Sequence, residues 1–115
     1  MTAGKYDLTI EQGATLAQVF TWRDSSDALV NLTGYTARCQ VRRTLSDPDT
    51  LLSLTTENSG ITLGGVLGTI QLNATAAVTA LLSGKGVYDL ELISGGGTVT
   101  RLIEGGVYFA PEVTR

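Results

Sequence analysis

The chain has 115 residues and a mass of 12.1 kDa, with 43% hydrophobic and 17% charged residues and a net charge of −3. A chain of this length buries roughly two-thirds of the surface it exposes when extended, so residues 1–115 are expected to form a single domain with its own core. The composition argues against disorder and offers no electrostatic case for nucleic acid or an anionic membrane. With no histidine and one cysteine, Cys39, a Ser-His-Asp triad, a histidine zinc site, an intrachain disulfide and a thiolate cluster are excluded.

The first residues lack the apolar stretch of a secretory leader, and no run approaches the roughly 18 apolar residues of a membrane span. The expectation is a protein made and folded in a cytoplasm. Fourteen glycines and 17 threonines against two prolines lean all-β, because threonine favours strands and scattered glycine marks tight turns.

In chain order, residues 6–11 alternate, with Leu8 and Ile10 on one face and Asp7, Thr9 and Glu11 on the other. Gln12-Gly13-Ala14 turns into a strand over 15–22, where Leu16, Phe20 and Trp22 share a parity. Gln18 falls on that parity and Val19 on the opposite one, which predicts a bulge or cover on both faces. After a polar turn over 23–27, residues 35–43 give the clearest strand. Tyr35, Ala37, Cys39 and Val41 point one way, and Thr36, Arg38, Gln40 and Arg42 the other. Short strands follow over 51–56, 61–63 and 69–72, separated by glycine- or Asp/Ser-rich turns.

Asn73 before an alanine- and leucine-rich stretch, with Ser83-Gly84 as the stop, predicts a helix of about two turns over 74–82. Residues 87–93 then alternate, with Tyr88, Leu90 and Leu92 inward and Asp89 and Glu91 outward. Gly95-Gly96-Gly97 joins them to 98–104 as an antiparallel hairpin. Gly105-Gly106 predicts a bulge before 107–110. Seven or eight short strands with one short helix predict an all-β, immunoglobulin-like antiparallel sandwich, Trp22 supplying a core aromatic. A small closed barrel is the alternative.

The candidate chemistry is sparse. The carboxylates Asp7, Glu11, Asp89 and Glu91 lie on threonine-bearing strand faces and read as solvated, not as an acid/base pair. Asp24 with Asp27, and Asp47-Pro48-Asp49, read as turns, lacking the ligand count of a calcium loop. Cys39 on an apolar face reads as core packing. Gly64-Gly65-Val66-Leu67-Gly68 lacks the lysine of a phosphate loop and reads as a turn. Asn31 and Asn73 sit in glycosylation sequons but read as turn and cap residues. No enzyme, cofactor or metal is predicted.

Arg38, Arg42 and Arg43 form the one basic cluster. Their position on the polar face of a strand predicts pairing with Asp89 and Glu91 of a neighbouring strand, or with acidic groups of another subunit. These five residues are the candidate protein interface. Carbohydrate binding would need exposed aromatics, and Tyr35 and Tyr88 look inward, leaving Tyr108 as the residue to locate.

Residues 6–15 (Tyr-Asp-Leu-Thr-Ile-Glu-Gln-Gly-Ala-Thr), then Trp22-Arg23-Asp24, residues 32–38, Val41-Arg42, residues 86–92 and residues 98–105 resemble small virion proteins of tailed bacteriophages. Their fold is like that of the immunoglobulin-like N-terminal domain of baseplate upper proteins. The resemblance implies a structural role in a virion, as a tail, baseplate, collar or fibre-anchoring accessory subunit present in multiple copies. It brings no catalytic motif. The chain stops where a baseplate upper protein continues toward receptor-binding regions. The implied partners are other virion proteins of the tail, baseplate, neck or capsid, with no nucleic acid and no membrane. Head decoration on the capsid is the alternative within the same class.

Overall fold

The computed structural model describes residues 3–114. Alternating burial draws the chain into short strands. β1 (Gly4–Lys5) and β2 (Leu8–Glu11) run in line, followed by β3 (Leu16–Thr21), β4 (Thr36–Arg42), β5 (Leu52–Thr55), β6 (Ile61–Leu63) and β7 (Thr69–Ala74). A one-turn helix α1 (Ala76–Thr79) precedes β8 (Gly84–Ile93) and β9 (Val99–Ala110). The period of two is cleanest in β4, where Ala37, Cys39 and Val41 are buried while Thr36, Arg38 and Gln40 face solvent. One apolar face has to be covered, and a second sheet covers it.

The larger sheet has the order β1–β9–β8–β4–β5, with β2 continuing β1 beside β9; the smaller has the order β3–β7–β6. β1 and β2 run parallel to β9. The other ladders between named strands are antiparallel. The chain passes from β2 across to β3, back to β4 and β5, across to β6 and β7, and back to β8 and β9. That Greek-key order of two separate sheets is an immunoglobulin-like sandwich, not a barrel. Ile10, Leu90, Leu92 and Phe109 of the larger sheet meet Ile70 and Leu72 of the smaller in one core, each such side chain contributing about 1.5–3 kcal/mol by leaving water.

Several local expectations are corrected. β3 carries no bulge: its register on β7 runs unbroken from Leu16↔Ala74 to Thr21↔Thr69. Nor is it covered on both faces, since Val19 is 49% exposed. It is an edge strand, so the inward Gln18 stays half-buried at the sheet margin. The helix is one turn, not two. Asn73 remains in β7, its N–H bonded to the Gly60 carbonyl at 2.7 Å and its side-chain amide to Thr62 Oγ1 at 3.0 Å. Thr75 supplies the cap, accepting from the Val78 N–H. The wholly buried Thr79 hydroxyl donates to the Ala14 carbonyl at 2.8 Å, pinning the turn of helix beneath the β2–β3 connection.

β8 begins at Gly84, opposite Phe109, three residues before the predicted start. The bulge of β9 lies at Leu102, since Leu90 pairs with Ile103 and Glu91 with Arg101. Gly105 occupies a regular position opposite Tyr88, and a side chain there would overlap the Tyr6 carbonyl group of the adjoining chain. Backbone approach, not a bulge, explains that glycine. Trp22 is half-buried and meets Tyr35 edge-on, with centroids 6.2 Å apart, while Phe109, Ile10 and Leu32 fill the centre.

Candidate docking face

The outer face of the larger sheet carries the charged residues. The β4–β8 register sets Arg38 opposite Glu91, Gln40 opposite Asp89 and Arg42 opposite Val87. Across β8–β9, Glu91 faces Arg101 and Asp89 faces Glu104. The extra residue at Leu102 makes this possible. In an unbroken strand Arg101 and Glu104 would project to opposite faces; the bulge brings both outward and turns Ile103 toward the core.

Two like charges directly opposite, Asp89 and Glu104, are unfavourable, and bridging cations offset them. Arg101 Nε lies 3.5 Å from Asp89 and 4.0 Å from Glu91, and its Nη1 lies 3.7 Å from Glu104. Lys5 Nζ reaches Glu104 at 2.6 Å, and Arg38 Nε reaches Glu91 at 2.7 Å. The result is a continuous ladder of alternating charge, Arg38–Glu91–Arg101–Glu104–Lys5, spanning β4, β8, β9 and β1. Partial burial raises the pKa of the Asp89 carboxyl, Glu91 adding to the effect and Arg101 opposing it. The Lys5 hydrogen bond holds Glu104 below the usual carboxylate range. Solvent screening leaves exposed pairs of this kind little net effect on stability, so the ladder shapes a surface more than it stabilises the fold.

Of the predicted basic cluster, only Arg38 pairs with a carboxylate among the described residues. Arg42 donates to the Asp47 carbonyl and to Gln40 Oε1, both at 2.9 Å. Arg43 lies past the end of β4 and donates to the Ser83 and Lys85 carbonyls at 2.8 and 2.7 Å. Register is the reason: the residue opposite Arg42 is Val87, so these two arginines clamp loops and leave Asp89 to Arg101. Reflecting the hairpin about Gly96 would have placed Arg101 against Glu91. Lys5 was not legible, because its contact depends on a parallel pairing 99 residues away in sequence.

A shallow concavity of about 380 Å³ opens beside the ladder, between Arg42, Asp89, Arg101 and Glu104. Leu45 stands at its rim, 90% exposed. Charged and apolar groups thus share one preorganised surface, the composition of a protein-contact rim. Elsewhere, Asp24 Oδ1 accepts from the Ser26 and Ala28 N–H groups and Asp47 Oδ1 from the Asp49 N–H, which are turn contacts. Cys39 is buried in the core, and burial pushes its thiol up to about 12. Tyr108 is exposed on the outer face, between Thr9 and Lys85.

No family model matches the chain, and no curated protein matches its sequence. Solved structures match in shape. The extracellular domain of the voltage-gated sodium channel beta4 subunit, from parallel homodimer structures, shares 8% identity over 98% of this chain and 97% of that one, with a TM-score of 0.47. A structure of sodium channel beta subunits used in photo-crosslinking of cell-adhesive interactions shares 9% over 99% and 98%, at 0.42. Drosophila OTK extracellular domains 3–5 share 14% over 90% of this chain and 32% of that one, at 0.37. No role is carried over from them.

Proposed function

We propose that the chain is a non-enzymatic structural protein of a tailed-bacteriophage virion, docking on other virion proteins as a tail, baseplate, collar or fibre-anchoring subunit. The observation that carries a docking role is the charge ladder from Arg38 to Lys5 beside the exposed Leu45. Fixed charges of alternating sign on rigid strands select a partner by complementarity and reject mismatched ones. The resemblance of residues 6–15, 32–38 and 86–92 to small virion proteins supports the choice of assembly. Many copies around a symmetric ring convert a modest interface into firm attachment.

Quantitative mass spectrometry of purified particles is the test. The chain is expected in the particle at a copy number set by the low cyclic symmetry of a tail or neck site. Arg38→Glu with Arg101→Glu is expected to abolish incorporation while the free protein stays folded. Particles that lack the chain would overturn the virion reading. Unchanged incorporation of the double variant would overturn the docking face, and copies on the order of hundreds would assign the chain to the head surface instead.

A further inference from the structure

β3 is the margin of the smaller sheet, and its free edge differs from the others. Trp22 N–H bonds to the Gly68 carbonyl at 2.8 Å, extending the β3–β7 register. In an antiparallel ladder hydrogen-bonded pairs alternate, so Leu16, Gln18 and Phe20 bond toward β7. Ala17, Val19 and Thr21 then direct their N–H and C=O groups outward. Among the described residues β3 pairs with β7 alone, and no backbone bond from those three residues reaches another segment. Their side chains lie on the exposed face, with Val19 at the centre.

The remaining edges are blunted. On β5, the Asn58 side chain accepts from the Thr55 N–H at 2.9 Å and donates to the Ser53 carbonyl at 3.0 Å, occupying the place of a further strand. β6 has three residues, and β1 and β2 are interrupted at Tyr6-Asp7. β3 has six residues, Leu-Ala-Gln-Val-Phe-Thr, without charge, proline or bulge. Such an edge is a template for strand pairing.

We propose that β3 pairs with β3 of a second copy of this chain, antiparallel about a two-fold axis through Val19. The edge is self-complementary in that register. Val19 meets its own counterpart, and Ala17 meets the partner copy's Thr21 and the reverse, so the outward N–H and C=O groups of all three residues exchange bonds across the axis. No charged residue of the strand opposes another, and the two smaller sheets join into a continuous six-stranded sheet, β6–β7–β3 repeated by the two-fold. The contact is isologous and closes at two copies. It lies on the sheet opposite the charge ladder, so it stands or falls apart from the virion reading.

Sedimentation velocity of the purified full chain between about 5 and 200 μM tests the pairing, with dimers expected. Val19→Lys sets two ammonium groups opposite each other on an exposed position and is expected to weaken association at least about tenfold while the variant stays folded as a monomer. Val19→Cys is expected to form a covalent dimer under oxidised glutathione, because directly paired residues place their Cα atoms about 5.5 Å apart, within disulfide reach. Leu81→Cys, 84% exposed and outside β3, serves as the control and should not do so. A wild-type chain that stays monomeric throughout would overturn the pairing. So would a dimer untouched by Val19→Lys, or equal cross-linking at positions 19 and 81. An edge that accepts an extended segment of another protein would show itself as a monomer, overturning self-pairing.

Discussion

Replacing Gly105 by alanine tests how the first strand is held against the last. A Cβ at that position would lie 2.8 Å from the Tyr6 carbonyl carbon and closer still to its oxygen. Both are backbone atoms, so the chain between β1 and β2 has to move away from β9. Three hydrogen bonds depend on that approach: Tyr6 N–H to the Glu104 carbonyl at 3.1 Å, Gly106 N–H to Asp7 Oδ1 at 3.0 Å, and Tyr88 O–H to the Tyr6 carbonyl at 2.8 Å. At about 1 kcal/mol net for each, with a further ~1–2 kcal/mol for a buried tyrosine hydroxyl left unpaired, the loss is about 4–5 kcal/mol. At roughly 4 °C per kcal/mol for a domain of this size, the melting temperature falls by about 15–20 °C. Gly96→Ala is the control, since only Ser94 Oγ approaches that position, at 3.9 Å, and its backbone is unstrained. Scanning calorimetry reads both variants. Because the hydroxyl bond is lost in either case, Tyr88→Phe should cost less in the Gly105→Ala background than alone. A Gly105→Ala melt within about 2 °C of the control would refute the crowding account.

Two further outcomes follow from buried groups. Thr79→Val preserves shape but leaves the Ala14 carbonyl without its donor; a loss of about 1–3 kcal/mol in urea unfolding is expected. Burial raises the Cys39 thiol from 9.0 to about 12. The unfolded chain therefore releases this proton near pH 9 while the folded chain keeps it. Between pH 9 and 12 Cys39 disfavours the folded state, by about 1.4 kcal/mol for each pH unit. Burial shifts the Tyr88 phenol in the same direction. Urea midpoints measured from pH 8 to 10.5 should fall more steeply for wild type than for Cys39→Ala, and parallel curves would contradict the assignment.

The parts of the fold readable in sequence were those governed by local alternation. β4 and β8 declare their buried faces residue by residue, so the inward set Ala37, Cys39, Val41, Tyr88, Leu90 and Leu92 needed no tertiary information. The helix was overestimated because Ala74 to Leu82 reads as helical by composition, whereas Asn73 and Ala74 are drawn into β7 by pairing with β3 and by the Gly60 carbonyl. Glycine was ambiguous for a related reason. Gly105 looks like a bulge residue until the Tyr6 backbone, almost a hundred positions earlier, is seen beside it. The candidate face was half legible: Arg38 with Glu91 follows from adjacent alternating strands, while Lys5 with Glu104 depends on the parallel placement of β1.

That parallel placement has a mechanical consequence. β1 and β2 run alongside β9 in the same direction, from Gly4 beside Ile103 to Glu11 beside Ala110. Tension applied at residues 4 and 110 pulls the two strands past each other lengthwise, so the bonds between them resist together. In the β8–β9 hairpin, a pull at the open ends would peel bonds one after another. The β1/β2–β9 seam is therefore the clamp that sets how much load the domain carries before it opens.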